Sequence, residues 1–137
     1  MVGQTKDVGF QIGVRKTFEV GLERAWQLIT SPQGMDVWLG GGASLRLEKG
    51  ATYQTCEGAR GELRVLKAHS HLRLTWQPAD WQMPSTIQVR VVPAGAKTTI
   101  SFHQEKLAGP VEREAMRTRW RQVLEQLEPM LASMQGE

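Results

Sequence analysis

The sequence predicts an α+β domain in which one curved antiparallel sheet of six to seven strands wraps a long C-terminal helix. Three observations predict it. From Ala43 to Glu105 apolar residues alternate with polar ones, the period of strands with one wet and one covered face. Met116, Trp120, Val123, Leu124, Leu127 and Leu131 then recur at helical spacing and occupy a stripe about 100° wide, as on a helix lying against a core. Ahead of both, one strand pattern is followed by two short helical ones. With 137 residues, 40% apolar and 23% charged, the composition excludes disordered and collagen-like classes and suits one domain over residues 1–137, with its core at about 10–131.

The elements follow in order. Phe10, Ile12, Val14, Phe18 and Val20 share one strand face, interrupted by Lys16. Gly21 turns the chain, and Leu22, Ala25, Trp26 and Ile29 form the apolar face of a short helix over Leu22–Ile29. Ser31-Pro32 stops it and starts a second helical segment, Gln33–Leu39, since Ser caps well and Pro suits the first helical position. Gly40-Gly41-Gly42 ends that segment as a flexible connection or lid hinge. Strands are then predicted around Leu45 and Leu47, over Thr52–Glu57, and around Leu63 and Val65. Three more follow, on Leu72-Leu74-Trp76, Ile87-Val89-Val91 and Ile100-Phe102. Gly109-Pro110 opens the last helix, in which Pro129 removes a hydrogen bond to Glu125 and predicts a kink or fraying.

The net charge is +3 on a mixed surface. Arg113, Arg117 and Arg121 share a helix face, but interleaved acids offer them Glu114 and Glu125 as partners, so the stripe reads as a solvated face and no nucleic-acid partner is expected. No apolar run reaches the roughly 20 residues of a membrane span. Met1 to Asp7 has no apolar stretch of a secretory signal, so the expected localisation is cytoplasmic. The lone Cys56 has no neighbouring cation or second cysteine to activate it. His69 and His71 lack an evident third ligand, so no metal site and no cofactor are expected.

This order of elements resembles the START-like (SRPBCC), or helix-grip, fold of birch-pollen-allergen-like proteins and polyketide cyclases. Val20-Gly21-Leu22-Glu23-Arg24-Ala25-Trp26 through Thr30-Ser31-Pro32 is similar to the opening motif of homologues of the heat-shock-protein-90 ATPase activator C-terminal domain. Trp38-Leu39 looks like that family's following Trp-aromatic pair. Gly61 to Val65 and Leu72 to Trp76 resemble its central strands, Thr99 to Phe102 its late strand, and Trp120 with Leu124 and Leu127 its closing helix. Two stretches depart from the family pattern. Arg119 stands where a Gly usually precedes the helix Trp. Gln104, Lys106 and Leu107 stand where a His and a Gly-Leu usually end the strand.

The resemblance implies a hydrophobic ligand held between helix and sheet. Candidate pocket-lining residues are therefore Trp38, Tyr53, Trp76, Trp81, Met83, Met116 and Trp120. Trp38 and Trp81 flank loops where such a cavity would open. Trp76 and Trp120 serve equally well as core or as lining, and the two methionines as adaptable wall or as gap-fillers. No catalytic residue is assigned. The favoured function is a binding protein for a hydrophobic or amphipathic small molecule. A chaperone-regulator-like domain that takes a protein partner is the first alternative. A cyclase- or hydrolase-like enzyme is the second, and it would draw on Tyr53, Glu57 or His103 as polar groups.

Overall fold

A computed structural model of the chain describes residues 4–5 and 9–135; most of the N-terminal stretch read above for a secretory signal lies outside them. The described residues form strands β1 (Gln4–Thr5), β2 (Gly9–Phe18), β3 (Thr52–Gln54), β4 (Arg60–Lys67), β5 (His71–Trp76), β6 (Ser85–Ala94) and β7 (Lys97–Leu107). Helices α1 (Leu22–Thr30) and α2 (Pro32–Trp38) follow β2, and α3 (Pro110–Gln135) closes the chain. The strands make one antiparallel sheet in the order β1-β2-β7-β6-β5-β4-β3, which is the helix-grip arrangement. Register shifts between Phe10 and Ile12 and between Leu63 and Val65 break the ladders where β-bulges bend a sheet.

The helices stop and start for local reasons. The Ser31 hydroxyl accepts from Gly34 N at 3.0 Å, and Pro32 fills the first position of α2. All six apolar residues of the α3 stripe are buried, and α3 packs on β2 and β7 with α1 and α2 beside it. Pro129 does not end the helix, which continues to Gln135. Glu125 and Pro129 are both exposed, so water can serve the carbonyl that the proline leaves free. Glu114 takes Arg117 in an ion pair at 3.6 Å, as the spacing predicts.

The strand predicted around Leu45 and Leu47 does not form. Glu48 N bonds to Arg46 O at 2.9 Å and Ala51 N to Glu48 O at 3.0 Å, so the segment curls into turns. Leu45 is buried while Leu47 is 41% exposed, which two residues on one strand face would not be.

Between α3 and the sheet, buried aromatic and polar side chains pack against one another. Trp120 is fully buried and stacks on Phe102, ring centres 4.7 Å apart and planes within 8°. Its indole N–H donates to Gln104 Oε1 at 3.0 Å, Gln104 Nε2 donates to Ser85 Oγ at 2.8 Å, and Ser85 Oγ donates to Trp76 O at 2.7 Å. This chain satisfies the buried polar groups that Gln104 brings into the core. Trp38, also fully buried, packs its ring 6.3 Å from Phe102 and donates to Ile29 O at 2.8 Å.

Candidate functional site

An open cleft of about 480 Å³ lies at one end of the helix–sheet interface. One wall is the first half of α3, where Glu112, Ala115, Met116 and Arg119 fall at i, i+3, i+4 and i+7 and so share a stripe beside the core-facing one. The opposite wall is Trp76, at the end of β5, with Pro78 to Trp81 of the loop that follows. Leu39 and Gly40 behind α2, and Thr55, Glu57 and Ala59 after β3, complete the lining.

Local bonds hold the aromatic wall. Gln77 exchanges backbone hydrogen bonds with Arg60 at 2.9 and 3.0 Å, anchoring the loop to the β3–β4 hairpin. Trp81 N turns back to Pro78 O at 3.0 Å, and Gln77 Nε2 donates to Trp81 O at 2.8 Å. The two indoles meet edge to face, centres 5.5 Å apart and planes at 85°, a favoured aromatic geometry. Gly40, at φ 132°, makes the bend out of α2 at this end, a conformation costly for residues with a Cβ. Cys56 N bonds Gly41 O at 2.8 Å, so the triple glycine is tied to the hairpin.

Arg119 is the cleft's inner cation. Its Nη2 donates to Trp38 O at 3.3 Å and Leu39 O at 3.4 Å, at the C-terminal end of α2 where cations are favoured. Its guanidinium carbon lies 5.1 Å from the Trp76 ring centre and 5.7 Å from that of Trp120, within cation–π range. Burial lowers its pKa from the ordinary arginine value, while Glu57 and Tyr53 oppose that. The group stays charged nonetheless.

Of the residues expected to line a pocket, Trp76, Trp81 and Met116 come together here. Trp38 and Trp120 stand behind the cleft as filled core, because Phe102 and the Gln104 amide occupy the space beside them. Tyr53 is buried with its hydroxyl given to Thr75 O at 2.6 Å; burial pushes its pKa far up, with Arg119 opposing. Met83 is 71% exposed on the loop beyond Trp81 and outside the lining. Sequence reasoning passes over Glu112 and Ala115, although their helical spacing to Met116 and Arg119 carries the signal.

The other polar candidates divide. Glu57 stands exposed on the cleft's rim. His103 alternates with Phe102 and Gln104, both of which meet Trp120, so it lies on the opposite face of the sheet, bonded to Gln11 at 2.9 Å. Beside it Arg73 pairs with Glu105. Burial holds the His103 imidazole below its ordinary 6.5; Glu105 opposes this and Arg73 adds to it. The unfolded chain therefore binds the proton more readily, and this imidazole's contribution to stability is lost as pH falls from above 6.5 through the depressed value. A His103→Gln variant is expected to lose less melting temperature than the parent between about pH 7.5 and pH 5. Parallel curves would contradict this.

A second, shallower groove of about 530 Å³ runs between the end of α1 and Pro129, with neither an aromatic nor a charged residue in its lining. No cluster of three or more metal-ligating side chains occurs among the described residues. No helix among them is long and apolar enough to cross a membrane.

The sequence profile of the family described as "Activator of Hsp90 ATPase homolog 1-like protein" matches residues 19–132. No curated protein matches the chain. Among solved structures, PFC0360w, an HSP90 activator from Plasmodium falciparum, superposes with a TM-score of 0.77 at 18% identity, over 90% of this chain and 97% of that one. CalU16 from Micromonospora echinospora gives 0.76 at 16% identity, over 88% of this chain and 76% of that one. The Aha1 dimer from Colwellia psychrerythraea gives 0.70 at 20% identity, over 88% and 95%. At these identities the likeness is one of fold.

Proposed function

The chain belongs to the Activator of Hsp90 ATPase homolog 1-like family, and from that premise we propose that it is a small binding protein whose cleft takes a hydrophobic or amphipathic small molecule. The observation that carries this is the pairing of Trp76 and Trp81 as one wall of an open cleft whose other wall holds Met116. Ligand sites combine such apolar walls with a few placed polar groups, and Arg119 supplies one. The cyclase- or hydrolase-like alternative loses two of its three polar groups, since the Tyr53 hydroxyl is engaged and His103 lies on the far face. Of the three, Glu57 alone remains at the cleft, exposed on its rim.

One observation favours the protein-partner reading as second. Val111, on the cleft's edge, is 76% exposed, and Met83 is 71% exposed on the loop that carries Trp81. Large apolar side chains in water near a site suit a partner surface. The two readings separate by titration. Flat aromatic compounds are expected to quench tryptophan fluorescence saturably, and Trp81→Ala to weaken their binding about tenfold or more through loss of stacking area. An absence of saturable quenching across the panel would remove the small-molecule reading and leave the partner reading standing.

A further inference from the structure

Resting on the cleft reading, we infer that the ligand is an aromatic carboxylate whose anionic group reaches Arg119. Three observations converge on it. Arg119 Nε and Trp76 Nε1 are both buried N–H donors with no hydrogen-bond acceptor among the described residues. Both residues line the cleft, and the guanidinium lies over the Trp76 ring. Arg113 and Arg117 also leave their Nε atoms without a bond, but each has Glu114 in an ion pair, whereas Arg119 meets no carboxylate in such a pair among the described residues. Its Nη2 is committed to the carbonyls of Trp38 and Leu39 and holds the group in place.

Buried donors without acceptors are costly, and an acceptor brought by a ligand relieves them. A carboxylate suits Arg119 better than a neutral oxygen, because hydrogen bonds from a guanidinium to an anion are the strong ones. The flat walls formed by Trp76 and Trp81 suit an aromatic body. Glu57 and Asp80, exposed, and Glu112, half-buried, also line the cleft. They disfavour an anion held at the mouth, and Glu57 also acts on Arg119, so only an anion in direct contact with the guanidinium gains.

The test uses calorimetric titration of the whole chain with 2-naphthoate, 2-naphthamide and 2-naphthylmethylammonium, which share one ring system and differ in charge. The naphthoate is expected to bind about tenfold or more tighter than the amide. Arg119→Gln should remove most of that preference while changing amide affinity little, and Arg119→Lys should restore part of it. Equal binding of acid and amide, or tighter binding of the ammonium, would overturn the carboxylate assignment and leave the cleft a binding site. Failure of all three to bind would overturn both.

Discussion

Replacing Trp120 by alanine is expected to cost the fold about 3–5 kcal/mol, the range for truncating a buried aromatic side chain. The ring is fully buried, stacked on Phe102 and bonded through its N–H to Gln104. Truncation opens a cavity and strips the Gln104 carbonyl oxygen of its donor, in a polar chain that runs on to Ser85. Trp81→Ala is the comparison. Trp81 is half-buried on a loop, and its loss should cost about 1 kcal/mol or less. Urea unfolding of both variants checks the contrast. A small loss at Trp120 would mean that the space beside it is empty, returning it to the list of pocket walls.

Gly61→Ala is expected to destabilise at or beyond the upper end of the roughly 1–3 kcal/mol typical of overpacking. A Cβ at Gly61 would lie 1.8 Å from the backbone oxygen of Thr75 and 2.7 Å from the Tyr53 hydroxyl. Neither neighbour can yield cheaply. Thr75 O is in the backbone of β5 and accepts the Tyr53 hydroxyl, while Thr75 Oγ1 accepts from Glu62 N at 2.9 Å. Separating β4 from β5 there would also loosen the hairpin that carries Glu57. Gly41, with no atom within 4 Å of its would-be Cβ, is the control, and its alanine variant should stay within about 0.5 kcal/mol of the parent. Equal effects at the two glycines would contradict the close approach at Gly61.

Much of this architecture was legible in the sequence because its cause is periodic. The α3 stripe and the strands on Leu72-Leu74-Trp76, Ile87-Val89-Val91 and Ile100-Phe102 show their buried faces as spacing, and those faces are buried. Leu63 and Val65 do not share one, because the register shift between them leaves Val65 38% exposed. Leu45 and Leu47 mislead because two alternating leucines cannot tell a strand from a turn; hydrogen bonding decides, and Glu48 and Ala51 bond locally. The two-residue β1 is too short to leave a period at all.

The site was legible in part. Trp81 sits on a loop between prolines and Met116 heads a stripe, so both could be placed near an opening. Trp38, Tyr53 and Trp120 look the same in sequence whether the space beside them is open or filled. What fills it comes from distant residues: Phe102 and Gln104 for Trp120, Ile29 and Phe102 for Trp38, and Thr75 for Tyr53. Arg119 was visible as a departure from the family pattern. Its role depends on the end of α2 and the Trp76 ring, which only the fold brings to it.

The central claim is that a small molecule binds at the Trp76–Trp81 cleft and not in the interior beneath α3. The five tryptophans provide five indole N–H reporters. Assigned ¹H–¹⁵N spectra recorded with and without 2-naphthoate read each one separately. The account predicts the largest shifts at Trp76 and Trp81, with Trp26 and Trp38 unmoved and Trp120 nearly so. Largest shifts at Trp38 and Trp120, with Trp76 and Trp81 still, would contradict it.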